Sequence, residues 1–280
     1  MVETTVGRYT SCSTSGLRNL DLQIIHQTNQ LAPGSLVSFA HLPVACGSGV
    51  HPFLQDVAAF ALEEVLRDHP GKQMRCNSAY RTIAQQFILY NHMRNHQCGI
   101  KVAAAPGMSN HNTGLSLDIE EYHYWLKPLE KRGWDWLGSH DEVHFDFVAP
   151  GTRDLRSISI KAFQKLWNLN AALSNAKKLS EDGIWGTETA TALRAVPVDG
   201  FSVVPGYSSP TAHHGKKPAM SLRKGMTGQK VQDLQRRLKV QPDGIFGEAT
   251  AAAVRKFQMS VGLPADGVVG ALTNVALGLG

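Results

Sequence analysis

Two short segments hold the residue types from which a metal centre can be built. The first reads Ser109-Asn110-His111-Asn112-Thr113-Gly114-Leu115-Ser116-Leu117-Asp118, and the second Asp141-Glu142-Val143-His144-Phe145-Asp146-Phe147. Six of the twelve histidines fall between His92 and His144, beside several carboxylates. Two imidazoles and a carboxylate leave the fourth position of a tetrahedral metal open. That is the donor set of a catalytic zinc site rather than a closed structural one. His111, Asp118 and His144 are the expected ligands, and Zn2+ the expected ion. Hydrolysis at such a centre also needs a carboxylate to move protons. Asp141 lies three residues before His144, and Glu142 two. Strand parity gives Glu142 the same face as His144, whereas Asp141 must lean over the metal from the turn entering the strand. Asp141 is the favoured base and Glu142 the competing candidate.

These residues need a scaffold. In 114–122, Leu115, Leu117 and Ile119 alternate with Ser116, Asp118 and Glu120; in 142–148, Val143, Phe145 and Phe147 alternate with His144 and Asp146. Period-two alternation predicts two strands, each with one core face and one opposite face. As neighbours in one sheet they would bring Asp118 and His144 to one place. A strand is expected over 74–78. Helices are expected over 20–31, over 53–68, where Phe53, Val57, Phe60, Ala61 and Val65 step at helical spacing, and over 82–95. Residues 125–136 read as a helix and turn.

The two segments resemble the zinc peptidases of bacterial cell walls, a family that includes D-alanyl-D-alanine carboxypeptidases of the vancomycin-resistance type and L-alanyl-D-glutamate endopeptidases of phage lysins. That family carries Ser-x-His-(x)6-Asp, here Ser109, His111 and Asp118, then Asp/Glu-x-x-His, here Asp141 and His144. A third element, Ser-Gly-Tyr-Arg-Ser with a Gln four residues beyond, reads Ser78-Ala79-Tyr80-Arg81-Thr82 with Gln86; Ala79 and Thr82 depart mildly. The resemblance spans roughly 74–148. It implies zinc on His111, Asp118 and His144, Asp141 as catalytic base, and Arg81 on a substrate carboxylate or the scissile carbonyl. It also implies substrate-binding roles for Gln86, Ser109 and Tyr80. A planar guanidinium suits an oxyanion or terminal carboxylate.

Beyond Pro150 the texture changes. Residues 182–193 and 243–254 are identical at seven of twelve positions, and a weaker third copy starts at Asp266-Gly267 with Gly270 and Thr273 in register. This is an internal repeat. Residues 222–277 resemble the common peptidoglycan-binding module of wall hydrolases, carried by Gly225, Val231, Leu234-Gln235, Asp243-Gly244-Ile245-Phe246-Gly247, Thr250 and Phe257-Gln258. Residues 158–196, with Phe163-Gln164 and Asp182-Gly183-Ile184-Trp185-Gly186, look like a divergent cousin or a helical appendage of the first domain.

The charge follows the same division. The 280 residues carry a net +5; residues 1–150 are −3 and 151–280 are +8. The Lys and Arg are scattered and no nucleic-acid motif is present, so an anionic wall polymer is the expected partner, not nucleic acid. A hydrophobic content of 42% excludes a wholly disordered chain. No apolar run approaches 18 residues, which excludes a spanning helix. The opening Met1-Val2-Glu3-Thr4-Thr5 is not a signal peptide as written. A mature or phage-delivered form acting outside the cell, in the periplasm or at the wall, is expected, as a monomer. None of the four cysteines forms a Cys-x-x-Cys pair, and their even number fits an oxidising compartment. Cys12–Cys46 and Cys76–Cys98 are the expected pairs.

The expected architecture is an α+β catalytic domain over 1–150, with a small antiparallel sheet flanked by helices. Two small all-α modules follow: a repeat-like module at 151–200 and, after a linker at 201–220, a peptidoglycan-binding domain at 221–280. The expected activity is zinc-dependent hydrolysis of a peptide bond in peptidoglycan stems, by a carboxypeptidase or an endopeptidase. The competing expectation is a wall-binding protein whose peptidase fold no longer cuts.

Overall fold

The computed structural model describes residues 4–207, 222–261, 265, 267–270, 273 and 276–278. The chain divides into two compact units, Met1–Lys216 and Lys217–Gly280. Most of the expected linker, from 208 to 220, lies outside the described residues.

The first unit runs α1 (Arg18–Leu31), β1 (Val37–Ser38), β2 (Val44–Cys46), β3 (Phe53–Leu54), α2 (Asp56–Asp68), β4 (Met74–Ser78) and α3 (Ile83–Arg94). It continues through β5 (Ser116–Ile119), α4 (Tyr122–Glu130), β6 (Trp134–Trp136), β7 (His144–Phe147), α5 (Arg156–Ser174) and α6 (Thr187–Ala195). Five strands form one sheet in the order β2-β4-β5-β7-β6. The sheet is mixed, not purely antiparallel as expected, because β2 runs parallel to β4. The helix expected from Phe53 starts at Asp56; Phe53 pairs with Ser38 in a two-stranded β1–β3 ribbon instead. The end of the 125–136 segment is β6, which closes the sheet against β7.

Alternation places the apolar set where it was expected. Leu117, Ile119, Phe145 and Phe147 are buried in one core with Trp125, Trp134 and the inner face of α2. A second core joins Leu20 and Ile24 of α1 and Ile83 and Phe87 of α3 to Phe163 and Leu166 of α5 and Leu193 of α6. Thr82 caps α3 in a capping box, its hydroxyl accepting from the Gln85 amide.

Residues 151–200 share the second core. Gln55 bonds both backbone groups of Arg153, the Tyr80 hydroxyl meets Ser159 at 2.8 Å, and the Val6 amide donates to the Val196 carbonyl. This segment lies in the same compact unit as the residues before it. The second unit holds α7 (Gln229–Arg237) and α8 (Glu248–Ser260). Among the described residues no helix is long and apolar enough to cross a membrane.

The cysteine pairing differs from expectation. Cys12 bonds Cys98 across 86 residues of chain, and Cys46 and Cys76 are free thiols, register partners on β2 and β4. His92 secures the bridge, because its ring nitrogens contact the Ser11 carbonyl and the Gln97 side chain beside the two bonded cysteines.

Candidate metal centre

Three strands line up the polar row. Ser78 of β4 pairs with Asp118 of β5, and Asp118 with His144 of β7. Regular alternation would give Ser78 the face of Cys76, which is buried in the core. A bulge between Cys76 and Ser78 inserts one extra residue opposite β5 and re-aims Ser78 to the other face. His111 arrives from a one-turn helix over Asn110–Thr113, ended by Gly114 in the left-handed region at φ +74°. A Cβ on Gly114 would lie 2.7 Å from Leu36 Cδ2, so the reversal into β5 needs glycine.

His111, Asp118 and His144 bring one donor atom each within 4.8 Å of one another. Asp118 Oδ1 lies 3.2 Å from His111 Nε2 and 2.9 Å from His144 Nδ1. Donors around a tetrahedral zinc lie about 3.3 Å apart for metal–ligand bonds near 2.0 Å. The remote nitrogens are already engaged: His111 Nδ1 donates to the Ala79 carbonyl at 2.9 Å, and His144 Nε2 meets Asp146 Oδ1 at 3.0 Å. A neutral ring that carries its proton on the far nitrogen can offer the near nitrogen's lone pair to a metal in place of its hydrogen bond to Asp118. Two borderline nitrogens and one carboxylate oxygen fit zinc in type, number and spacing.

The electrostatics match a site built for a cation. Burial opposes ionisation of Asp118, yet hydrogen bonds from His111 and His144 hold its carboxyl well below the usual range. Burial, then the Arg81 charge, push His111 down. Burial also lowers His144, but its bonds to Asp118 and Asp146 outweigh that and raise it to about 9.

Arg81 stands beside the cluster. Nη2 donates to Ser78 Oγ at 2.9 Å and Nη1 to Gln86 Oε1 at 3.1 Å, with Asp118 Oδ2 at 3.7 Å. Burial lowers its pKa, while the charges of Asp118 and Asp141 raise it. Asp141 is therefore within electrostatic reach of the guanidinium. It sits at the end of a short turn before β7, where its carbonyl accepts the His144 amide. The Glu142 carbonyl accepts from Trp136 Nε1 at 2.8 Å, and burial together with the Glu142 carboxylate pushes the Tyr122 phenol up.

Other expected site residues have different surroundings. Gln86 is fully buried, and its amide is spent on Arg81 and the Ala104 carbonyl, so it positions the arginine rather than facing the cluster. Tyr80 is in a core with Ile25, Leu36 and Leu155; burial pushes its phenol up to about 12, and its hydroxyl bonds Ser159. It is not among the groups that face the cluster. Ser109 is buried at the start of the His111 turn, its carbonyl accepting the Asn112 amide. The residues missed by sequence reasoning are Ser78, Ser116 and Asp146. Parity with Asp118 and His144 was a signal for the last two; none announced the bulge that delivers Ser78.

The repeats present a second kind of polar cluster. Gln164 Nε2 donates to Asp182 Oδ1, the Ile184 carbonyl and Thr189 Oγ1, and its Oε1 accepts the Gly183 amide. In the second unit Gln235 makes the same four bonds with Asp243, Ile245, Thr250 and Gly244. Gln258 bonds Val268, Thr273 and Gly267 in the third copy.

Comparison with known proteins gives two family matches. Residues 53–167 match the D-alanyl-D-alanine carboxypeptidase family, and residues 227–277 match the peptidoglycan binding domain family. A spore cortex-lytic enzyme of Bacillus cereus is 42% identical over 62 residues, covering 20% of this chain and 24% of that protein. The zinc D-Ala-D-Ala carboxypeptidase of Streptomyces albus G is 43% identical over 61 residues, covering 19% and 24%. The chain thus spans about a quarter of the length of these curated relatives. Each match is shorter than the stretch from Arg81 to His144. The solved SleB N-terminal domain is 40% identical, with a TM-score of 0.21, and the match covers 21% of this chain and 89% of that one.

Proposed function

We propose that this chain, which carries a D-alanyl-D-alanine carboxypeptidase family domain and a peptidoglycan-binding domain, is a zinc-dependent peptidase of peptidoglycan stem peptides. The observation that carries this reading is the convergence of His111 Nε2, Asp118 Oδ1 and His144 Nδ1, each remote imidazole nitrogen already held by an acceptor. His111, Asp118 and His144 would hold the zinc. When bound, zinc acts as a Lewis acid on a carbonyl oxygen and lowers the pKa of a coordinated water to about 7.

The chain's own groups do the rest. Asp141 takes the proton from the attacking water and passes it to the leaving amine, the part of a general base that becomes an acid. Its charge acts on Arg81, which supports this choice over Glu142, whose charge acts on Tyr122 instead. Arg81, braced by Ser78 and Gln86, binds a substrate carboxylate or the carbonyl oxygen as it gains negative charge. The second unit holds the enzyme on the wall, with the peptidoglycan network as its partner.

The test is turnover of defined muropeptides by protein of known zinc content. About one zinc per chain and a released peptide or amino acid are expected. Loss of a terminal D-Ala identifies a carboxypeptidase; a new D-Glu amine identifies an endopeptidase. No turnover at full zinc occupancy would instead support a wall-binding protein that no longer cuts.

A further inference from the structure

The two imidazoles are held by different means. His111 gives its remote N–H to a backbone carbonyl, which no side-chain change can remove. His144 gives its remote nitrogen to Asp146, a residue with no part in the ligand set or in the proton transfers above. Asp146 is itself tightly anchored. Its Oδ1 accepts from the fully buried Ser116 hydroxyl at 2.6 Å, and its Oδ2 from Asn110 Nδ2 at 2.7 Å. Ser116 and Asp146 are register partners, two rungs along from the Asp118–His144 rung of the same two strands and therefore on the same face. Asn110 adjoins His111, so the same carboxylate ties the turn that carries one imidazole to the strand that carries the other.

We propose that Asp146 is a positioning residue of the metal centre. It fixes His144 in the tautomer with the proton on Nε2 and the lone pair on Nδ1, and it sets the distance between the His111 turn and β7. An ionised carboxylate has no proton to give, so the hydrogen in the His144–Asp146 bond belongs to the imidazole; Nδ1 faces Asp118 Oδ1 at 2.9 Å in the same way, and a metal there would take the place of that second proton. The ring then meets the metal with Nδ1 and gains basicity from the carboxylate behind it. The two histidines thus present opposite nitrogens to one ion: Nε2 from the turn, where the acceptor sits behind Nδ1, and Nδ1 from the strand, where the acceptor sits behind Nε2. The inference rests on the zinc reading above and assigns one further residue to it.

The experiment compares wild type, Asp146→Ala and Asp146→Asn in the full chain. Zinc affinity is measured by competition with a chromophoric chelator, the cobalt(II)-substituted visible spectrum reports ligand geometry, and thermal unfolding is followed on metal-free protein. Asp146→Ala is expected to weaken zinc binding roughly 10–100-fold and to shift the cobalt bands. Asp146→Asn matches the native shape and keeps one acceptor oxygen, so it is expected to lose less affinity at nearly native stability. If Asp146→Ala does not fold, Asp146→Asn carries the test alone, through weaker zinc binding and altered cobalt bands. Wild-type affinity and an unchanged cobalt spectrum in a folded variant would overturn the inference and leave the zinc reading standing. Failure of wild type itself to take up zinc would overturn both.

Discussion

The His111–Asp118–His144 cluster and the glutamine turns of the repeats are both buried and polar, yet they end differently. At Gln164 and Gln235 every group meets a complement: the amide N–H groups find a carboxylate, a carbonyl and a hydroxyl, and the amide oxygen takes a glycine N–H. The network closes on itself. In the histidine cluster the outer bonds are complete, while the inner nitrogens and the Asp118 oxygen point at one another. Both imidazoles share the one Asp118 oxygen, so the three atoms are held together by protons on the near nitrogens or by a metal ion that takes their place. A closed polar network holds a turn; an inward-facing one asks for a ligand. The two clusters should respond oppositely to substitution.

The largest contrast is expected at Asp118, whose oxygen both histidines share. Asp118→Ala should reduce bound zinc to roughly a tenth of an equivalent or less and abolish peptide cleavage, since two imidazoles alone leave the site short of a ligand. Metal analysis with a muropeptide assay checks this; zinc retained near one per chain would mean that the cluster is not the ligand set. Next is Asp141. Asp141→Asn keeps the shape and removes the basicity, so the rate should fall roughly 10²–10⁴-fold while zinc content stays unchanged. Parallel loss of zinc would show that Asp141 acts as a ligand rather than as a base. The smallest effect on chemistry is expected at the glutamine turns. Gln164→Ala and Gln235→Ala each strand a buried glycine amide and should destabilise their own unit by about 2–3 kcal/mol. Denaturant unfolding measures that loss. Zinc affinity unchanged by Gln164→Ala would sharpen the contrast, and a large drop would dissolve it.

Much of this was legible in the residues. The alternation around Asp118 and His144 carried both central strands, because one face of each is buried and the period is two. The spacing of His111, Asp118 and His144 picked out the three groups whose donor atoms converge, and the Arg81 element the guanidinium beside them. What stayed hidden lacked a local signal. β1, β2 and β6 span two or three residues, too few for a period to emerge. The Cys12–Cys98 bridge depends on how 86 residues of chain fold back, which neighbouring spacing does not encode. Tyr80 and Gln86 lie in an informative motif, but their burial is set by α5 and the 99–109 loop, far along the chain. Asp146 shared the parity of His144, yet its anchoring depended on Ser116 arriving opposite it.

The extra residue in β4 has a consequence for how the site can vary. Because Asn77 is the residue that β5 does not match, the facing of Ser78, and through it the brace on Arg81, depends on where the ladder places its unmatched residue as well as on the identity of the side chains. A slip that set Asn77 opposite Asp118 would restore plain alternation and turn Ser78 toward the core side, although no residue had been changed. Deleting Asn77 would instead leave Ser78 next to Cys76, opposite Asp118 and still on the site face. Exchanges of side chain here can be graded; the facing of Ser78 cannot, because a strand offers a side chain only two faces.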